Sequence, residues 1–324
     1  MRKTVAIFAA IALLGCNNET EERSATNERT METLLAIDDF WDFSDPAGTE
    51  IKFREALDHA PEDAEDYRAE LITQIARTFG LRGKFEEAHE LLDQVAEMLP
   101  RTGDYVETRY LLERGRAFNS AGEKQKAKEL FLQAVDTSRR AKDDYLTVDV
   151  MHMLAIVEDP ESALEWNLQA IQILEETKQE KAKSWIGPLS NNVAWTYHDI
   201  GEYETALSYF EKGRDYRAIE AKEPGYRIAK WAVARCKRSL GRLDEALAEQ
   251  LASAAEYYPE FDAQSEAADI DGYIAEEIAE CLLALEKNDE AKLYFSAAYK
   301  TLSKDDWLVE NEPDRIARLK DLGS

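Results

Sequence analysis

Apolar positions along the chain recur with a helical period, and the runs come in pairs. In Asn191–Gly213, NNVAWTYHDIGEYETALSYFEKG, Ala194 and Tyr197 share one face of a first helix and Gly201 permits a turn. Tyr203, Ala206 and Phe210 then form the stripe of a returning helix. The same order appears on both sides. Leu71–Pro100 carries Ile75, Ala76 and Phe79, then Gly83, Phe85, Ala88 and Leu92. Tyr105–Lys142 carries Leu111, Gly115 and Phe118, then Gly122, Ala127, Phe131 and Ala134. Ile228–Pro259 has Val233, Ala234, Gly241, Leu243 and Ala246, and Tyr273–Ser303 has Ile278, Ala279, Leu282, Ala291, Phe295 and Ala298, with Glu286 at the turn position that Gly fills elsewhere.

Two further copies are worn. In Tyr145–Lys178, Ala163 and Ala170 keep the second-helix spacing, but Asn167 stands at the Phe position. The turn there is Glu158-Asp159-Pro160 without Gly, which predicts a connection shortened by about three residues. Near the start, Leu34, Leu35, Ile37, Phe40 and Trp41 predict a helix over Arg29–Phe43. Ser44-Asp45-Pro46 then supplies a cap and a first-turn Pro for a helix running to about His59. The small anchor residues Thr49, Ala88, Ala127, Ala163, Ala206, Ala246 and Ala291 lie 39, 39, 36, 43, 40 and 45 residues apart. Glu312–Gly323, with Pro near its start and Gly at its exit, predicts a capping helix.

A small residue followed four positions later by Phe, after a Gly turn, resembles the tetratricopeptide repeat, whose usual period is about 34 residues. The longer spacing here is accounted for by roughly one extra turn per helix pair. The resemblance covers roughly residues 30–310 and implies an all-α, right-handed α-solenoid of about seven such helix pairs with a C-terminal capping helix. One pair cannot cover its own apolar face, so stacking in series is the stable solution. The domain reading is a lipoprotein signal peptide over 1–15, a polar linker over 16–30, the superhelix over 31–304 and a capping segment over 305–324.

Charge and the amino terminus narrow the setting. With 66 acidic and 40 basic residues the chain is formally −26, which repels nucleic acid and anionic lipid at long range. Arg2 and Lys3 precede an apolar run, Val5–Leu14, that is too short to span a bilayer and ends in Leu13-Leu14-Gly15-Cys16. That ending resembles the lipobox of bacterial lipoproteins. The resemblance implies cleavage before Cys16 and lipidation of Cys16, hence a membrane anchor in a bacterial cell envelope. Asn17 in place of Asp favours the outer membrane, facing the periplasm. Cleavage would leave 38 basic residues against 66 acidic, formally −28.

Enzyme signatures are missing from the sequence. His59, His89, His152 and His198 are scattered, and there is no HExxH, CxxC, nucleophile elbow or phosphate-cradling Gly loop, so no catalytic residue, metal or cofactor is assigned. Acidic pairs such as Glu86-Glu87 and Glu276-Glu277 read as solvated helix faces. Cys236 and Cys281, one repeat apart, read as small buried packing residues, their backbones too far apart to be joined by a disulfide.

The candidate site is the set of first-helix positions that point away from the second helix and that, in the resembled family, line a concave groove. They are Arg77, Arg109, Arg116, Asn119, Asn191, Trp195, His198, Trp231, Arg235, Arg238 and Tyr273. Arg and Trp dominate binding hot spots. The expected function is a non-catalytic scaffold or adaptor holding a protein or peptide, an acidic or aromatic segment being favoured, with the arginines pairing its carboxylates. The competing reading makes the Trp residues inter-repeat core and pairs the arginines with nearby Glu. A second functional reading is a small-molecule or glycan ligand stacked on Trp195, Trp231 and Tyr273. Lys partners for a clamp on a terminal carboxylate are missing beside Asn191 and Asn192.

Overall fold

The computed structural model describes residues 36–220, 224–258 and 270–324. The signal peptide, Cys16, the linker and residues 29–35 of the first predicted helix lie outside the described residues. Every regular element among the described residues is helical. None of these helices is long and apolar enough to cross a membrane. Contacts divide the chain into two compact units that meet at Ala141 and Lys142.

The first unit opens with a short 3-10 turn, Ile37–Phe40, followed by α1 (Pro46–His59), α2 (Glu65–Leu81), α3 (Phe85–Met98), α4 (Asp104–Ser120) and α5 (Lys124–Ala141). The helix expected over residues 36–43 does not form. Trp41 is extended, and the Asp42 carboxylate accepts hydrogen bonds from the Ser44 amide and hydroxyl, a local turn that competes with helix. The reading of α1 holds, with Pro46 at its first position and Asp45 accepting from the Gly48 amide at 2.9 Å.

The second unit contains α6 (Asp144–Val157), α7 (Pro160–Glu176), α8 (Glu180–Lys183), α9 (Ile186–Asp199), α10 (Tyr203–Glu220), α11 (Gly225–Ser239) and α12 (Leu243–Tyr257). It ends with α13 (Gly272–Ala284), α14 (Asn288–Leu302), α15 (Asp306–Asn311) and the capping helix α16 (Pro313–Leu322). The pairs α2/α3, α4/α5, α6/α7, α9/α10, α11/α12 and α13/α14 are hairpins, and each packs on its neighbour within its unit. This is the helix-pair solenoid architecture.

Two small-residue devices make each hairpin. Gly83, Gly122, Gly201 and Gly241 take positive φ of 73° to 85°, the left-handed conformation that reverses the chain without a Cβ clash. Glu286 adopts the same conformation at φ 61° without that relief. The anchors Thr49, Ala88, Ala127, Ala206, Ala246 and Ala291 are at most 1% exposed, where second helix meets first. Four positions on, Phe53, Leu92, Phe131, Phe210 and Phe295 fill the core.

The worn copy α6/α7 departs from this plan. Its connection is two residues, Glu158 and Asp159, against three in the other hairpins, so it is shorter by one residue and not by three. The remaining shortening is in the first helix, 14 residues in α6 against 17 in α2 and α4. Asp159 caps α7 by accepting from the Glu161 and Ser162 amides. Ala163 stays only half-buried, and the buried Asn167 leaves its Oδ1 without a hydrogen bond.

The cysteines behave as packing residues. Cys236 and Cys281 are buried and free. Burial pushes their thiols up to about 11 and about 12. At the far end, Leu308 and Leu319 from α15 and α16 complete the apolar cluster of α13 and α14.

Gly115 on α4 is a tight packing point of the first unit, since a Cβ there would overlap the Phe131 ring. Gly115→Ala is expected to destabilise the protein by about 1–3 kcal/mol. Phe131→Leu in the same chain should restore part of the loss. Urea denaturation followed by circular dichroism of the two single variants and the double variant measures the coupling, and additive losses would refute the contact.

Candidate functional site

The eleven candidate residues fall into two sets, four in the first unit and seven in the second. In the second unit, α9 carries Trp195 and His198, α11 carries Trp231, Arg235 and Arg238, and α13 carries Tyr273. Spacings of three and four put each set on one helix face. Consecutive first helices thereby build an aromatic ladder. The Trp195 and Trp231 rings are 6.1 Å apart, and Trp231 and Tyr273 meet edge to face at 6.2 Å. Trp195 packs edge-on against Phe210 at 4.9 Å, while the Trp231 indole N–H donates to the Tyr273 carbonyl at 3.1 Å. Tyr273 forms the exposed end of the ladder at 37%.

Arg235 lies over both indoles, its guanidinium 5.6 Å from Trp195 and 5.3 Å from Trp231. It donates to Glu277 Oε1 at 2.8 Å, and Arg238 donates to Oε2 of the same carboxylate at 2.7 Å. The Glu277 side chain is 2% exposed. Burial works against the Arg238 charge, but the bonded Glu277 carboxylate overrides it and holds the guanidinium above its ordinary range. His198 donates to or accepts from Ser239 Oγ at 2.9 Å. Burial, then the Arg235 charge, pushes its imidazole below the usual histidine range, so it is neutral at pH 7. Asn191, on the first turns of α9, lines a cavity that also takes in Phe210.

In the first unit, Arg77 lies 5.3 Å from each of the Trp41 and Phe43 rings, which are themselves stacked at 4.7 Å. The Trp41 indole N–H donates to Gln74 Oε1 at 3.1 Å. Arg77 and Arg116 share Glu113, at 3.4 Å and 2.6 Å, and the Glu113 side chain is 1% exposed. Asn119 is half-buried near the end of α4.

These positions correct three expectations. Arg109 is 2% exposed and is tied to Glu70, Asp38 and the Tyr105 hydroxyl, so it braces the stack and cannot touch a partner. Glu276 and Glu277 are not a solvated face: both are buried, because the guanidinium groups of neighbouring helices replace water around them. The wall is also not a basic surface in an acidic protein. Arg235, Arg238, Arg315 and Arg318 are matched by Glu276, Glu277, Glu280 and Glu312. The competing reading of the arginines, pairing with nearby Glu, is the observed one. Glu86 and Glu87 remain exposed, as expected.

Sequence reasoning missed Glu113, Glu277 and the cap arginines. The signal was available in spacing: Arg77 precedes Glu113 by 36 positions and Arg238 precedes Glu277 by 39, each close to one repeat period. Among the described residues, no group of three or more His, Cys, Asp or Glu could hold a metal ion.

The tetratricopeptide repeat family model matches residues 188–213, the stretch that builds α9 and the start of α10. A sequence search of curated proteins returns no match. The apo form of RapI superposes with a TM-score of 0.65 at 14% identity, over 91% of this chain and 84% of that one. A signal transduction ATPase with numerous domains and a tetratricopeptide repeat sensor, from Pyrococcus horikoshii, gives 0.64 at 14% identity over 85% of this chain. The present chain spans only 41% of that protein. The apo quorum sensor NprR from B. thuringiensis gives 0.50 at 15% identity, over 97% and 96% of the two chains. At such identities the fold is what is shared, and that fold is the tetratricopeptide-type helix-pair stack.

Removing the shared carboxylate should separate a buried charge from an exposed one. Glu277→Gln leaves two half-buried guanidinium groups without their counter-ion and is expected to cost on the order of 1–3 kcal/mol, discounted for their partial exposure. Glu86→Gln on the exposed face should stay within about 0.5 kcal/mol. Denaturant unfolding followed by tryptophan fluorescence compares the two, and equal losses would refute the assignment.

Proposed function

We propose that this protein is a non-catalytic scaffold, tethered in a bacterial envelope, that holds an extended segment of a protein partner against the ladder face of its second unit. One observation carries the reading: Arg235 and Arg238 are locked in place by a single buried carboxylate, yet each keeps N–H donors that no group among the described residues takes up. Fixed, unused donors beside aromatic rings suit the backbone carbonyls and side chains of an extended peptide, because their ordering is already complete before binding. Since the charges of this wall are internally balanced, the partner is recognised by hydrogen bonds and aromatic packing on Tyr273, and an acidic segment is not preferred. A glycan is the weaker reading, since sugar stacking needs open ring faces and Arg235 covers a face of both indoles. The fold likeness to a protein with a repeat sensor and to a quorum sensor is compatible with a recognition role.

The tether rests on Leu13-Leu14-Gly15-Cys16 at the end of the apolar run. Lipid chains on Cys16 would anchor the acidic body through the polar stretch that follows, each buried CH2 contributing roughly 0.8 kcal/mol. Asn17 supports an outer-membrane, periplasm-facing address.

Binding is tested with a panel of extended dodecapeptides bearing aromatic residues at alternate positions, against alanine counterparts, read by fluorescence anisotropy. Tyr273→Ala should weaken the aromatic peptides by about ten-fold or more, and the affinity should change little between low and high salt. Unchanged binding by Tyr273→Ala, or equal binding of the alanine peptides, would overturn the proposal. For the tether, the native chain should incorporate labelled fatty acid and partition into detergent, and Cys16→Ser should do neither. Detergent partitioning of the Cys16→Ser chain would sink the lipid anchor.

A further inference from the structure

A second polar site lies where α9, α10 and α11 converge, beside the Trp195 end of the ladder. The start of α9, the last turns of α10 and the start of α11 enclose a cavity of about 260 Å³. Glycines make the space. A Cβ on Gly187 would sit 2.7 Å from Arg217 Nε, and one on Gly225 would sit 3.1 Å from Arg217 Nη1. The two glycines therefore let the guanidinium lie flat between helix backbones, where any side chain would displace it. Gly213 lies against the start of α9, where a Cβ would make only ordinary contacts with the Gly187 carbonyl and Ser190.

The polar groups around this cavity are under-used. Among the described residues Arg217 makes one long contact, Nη1 to Glu220 at 3.4 Å, and its Nε and Nη2 donors go to no other group there. The side-chain amides of Asn191 and Asn192 line the same space and make no hydrogen bond among the described residues. Behind Gly213, Ser190 is fully buried with its hydroxyl unpaired. Pro188, Phe210 and Ile228 add apolar surface to the same cavity. Idle donors and hydrocarbon in one cavity define the ligand they would satisfy. It carries acceptor oxygens at one end, matched to a planar guanidinium fork, and a short apolar body.

We propose that this cavity binds a small organic carboxylate with an apolar tail, of about amino-acid size. The carboxylate takes two N–H groups of Arg217 and the amides of Asn191 and Asn192, and the tail packs on Phe210 and Ile228. The volume is just below the usual range for ligand sites and suits a small ligand. The single long contact from Glu220 leaves the guanidinium fork open to the ligand. The site uses none of Trp195, Trp231 and Tyr273, although Phe210 touches both it and Trp195, and it stands whether or not the ladder binds a peptide.

The test uses 4-methylpentanoate as probe, with 4-methylpentanamide and inorganic phosphate as comparison compounds, in saturation-transfer NMR and calorimetry on the full chain. The acid should bind at least ten-fold more tightly than the amide. Arg217→Gln and the double change Asn191→Ala with Asn192→Ala should each weaken the acid ten-fold or more, with melting curves confirming that both variants fold. Tyr273→Ala should bind the acid unchanged, which separates failure of this site from failure of the ladder. Equal binding of acid and amide, preference for phosphate, no binding of the acid at millimolar concentration, or unchanged binding by Arg217→Gln would each overturn the proposal.

Discussion

Everything in this protein depends on how closely two antiparallel helices can approach. A left-handed glycine reverses the chain in three residues, and an alanine on the returning helix removes the side chain that would hold the pair apart. The contact is short enough for Phe131 to sit over Gly115, yet one pair still presents an apolar face that it cannot cover. Within each unit a hairpin therefore needs its neighbour, and the last needs α15 and α16. Burial of Leu308 and Leu319 ends the series, and Arg315 and Arg318 fasten the cap to Glu276 and Glu280 on α13.

Polar pairing follows the same register. Groups at the same level of neighbouring hairpins are one repeat apart in sequence, so Arg140 meets Asp104 and Arg242 meets Glu204 across 36 and 38 positions. Surface pairs of this kind contribute little to stability. Glu113 and Glu277 differ because each is sealed from water and shared by two arginines. A buried carboxylate of this sort is weak evidence for stability, but it fixes the direction in which guanidinium groups point. In the second unit that fixation leaves Arg235 over two indoles, with N–H donors that no group among the described residues takes.

Most of the fold was legible in sequence because periodicity and turn chemistry are local. Gly83, Gly122, Gly201 and Gly241 marked the turns, and the alanines marked the contacts. What was misread depended on neighbours a repeat away. Glu276-Glu277 looks like any acidic pair on a helix until the arginines of α11 and α16 are placed beside it. Arg109 looks like a groove residue until Glu70 and Asp38 close over it. The Asp42 turn defeated the helical stripe of Ile37, Phe40 and Trp41 because a side-chain oxygen offered the backbone an alternative. The Arg217 cavity was not foreseen at all, since its walls come from three helices and its room comes from glycines that a hydrophobic pattern does not register.

The turn at Glu286 sets the last hairpin apart from its predecessors. A residue with a Cβ held at φ 61° carries roughly 1–2 kcal/mol of backbone strain that the glycine turns do not. In a series where each member leans only on the adjacent ones, such a penalty is felt locally and cannot be shared along the chain. The pair α13/α14 carries this strain at its turn and also supplies Tyr273 and Glu277. Loosening there would unclamp the arginines that face the ladder.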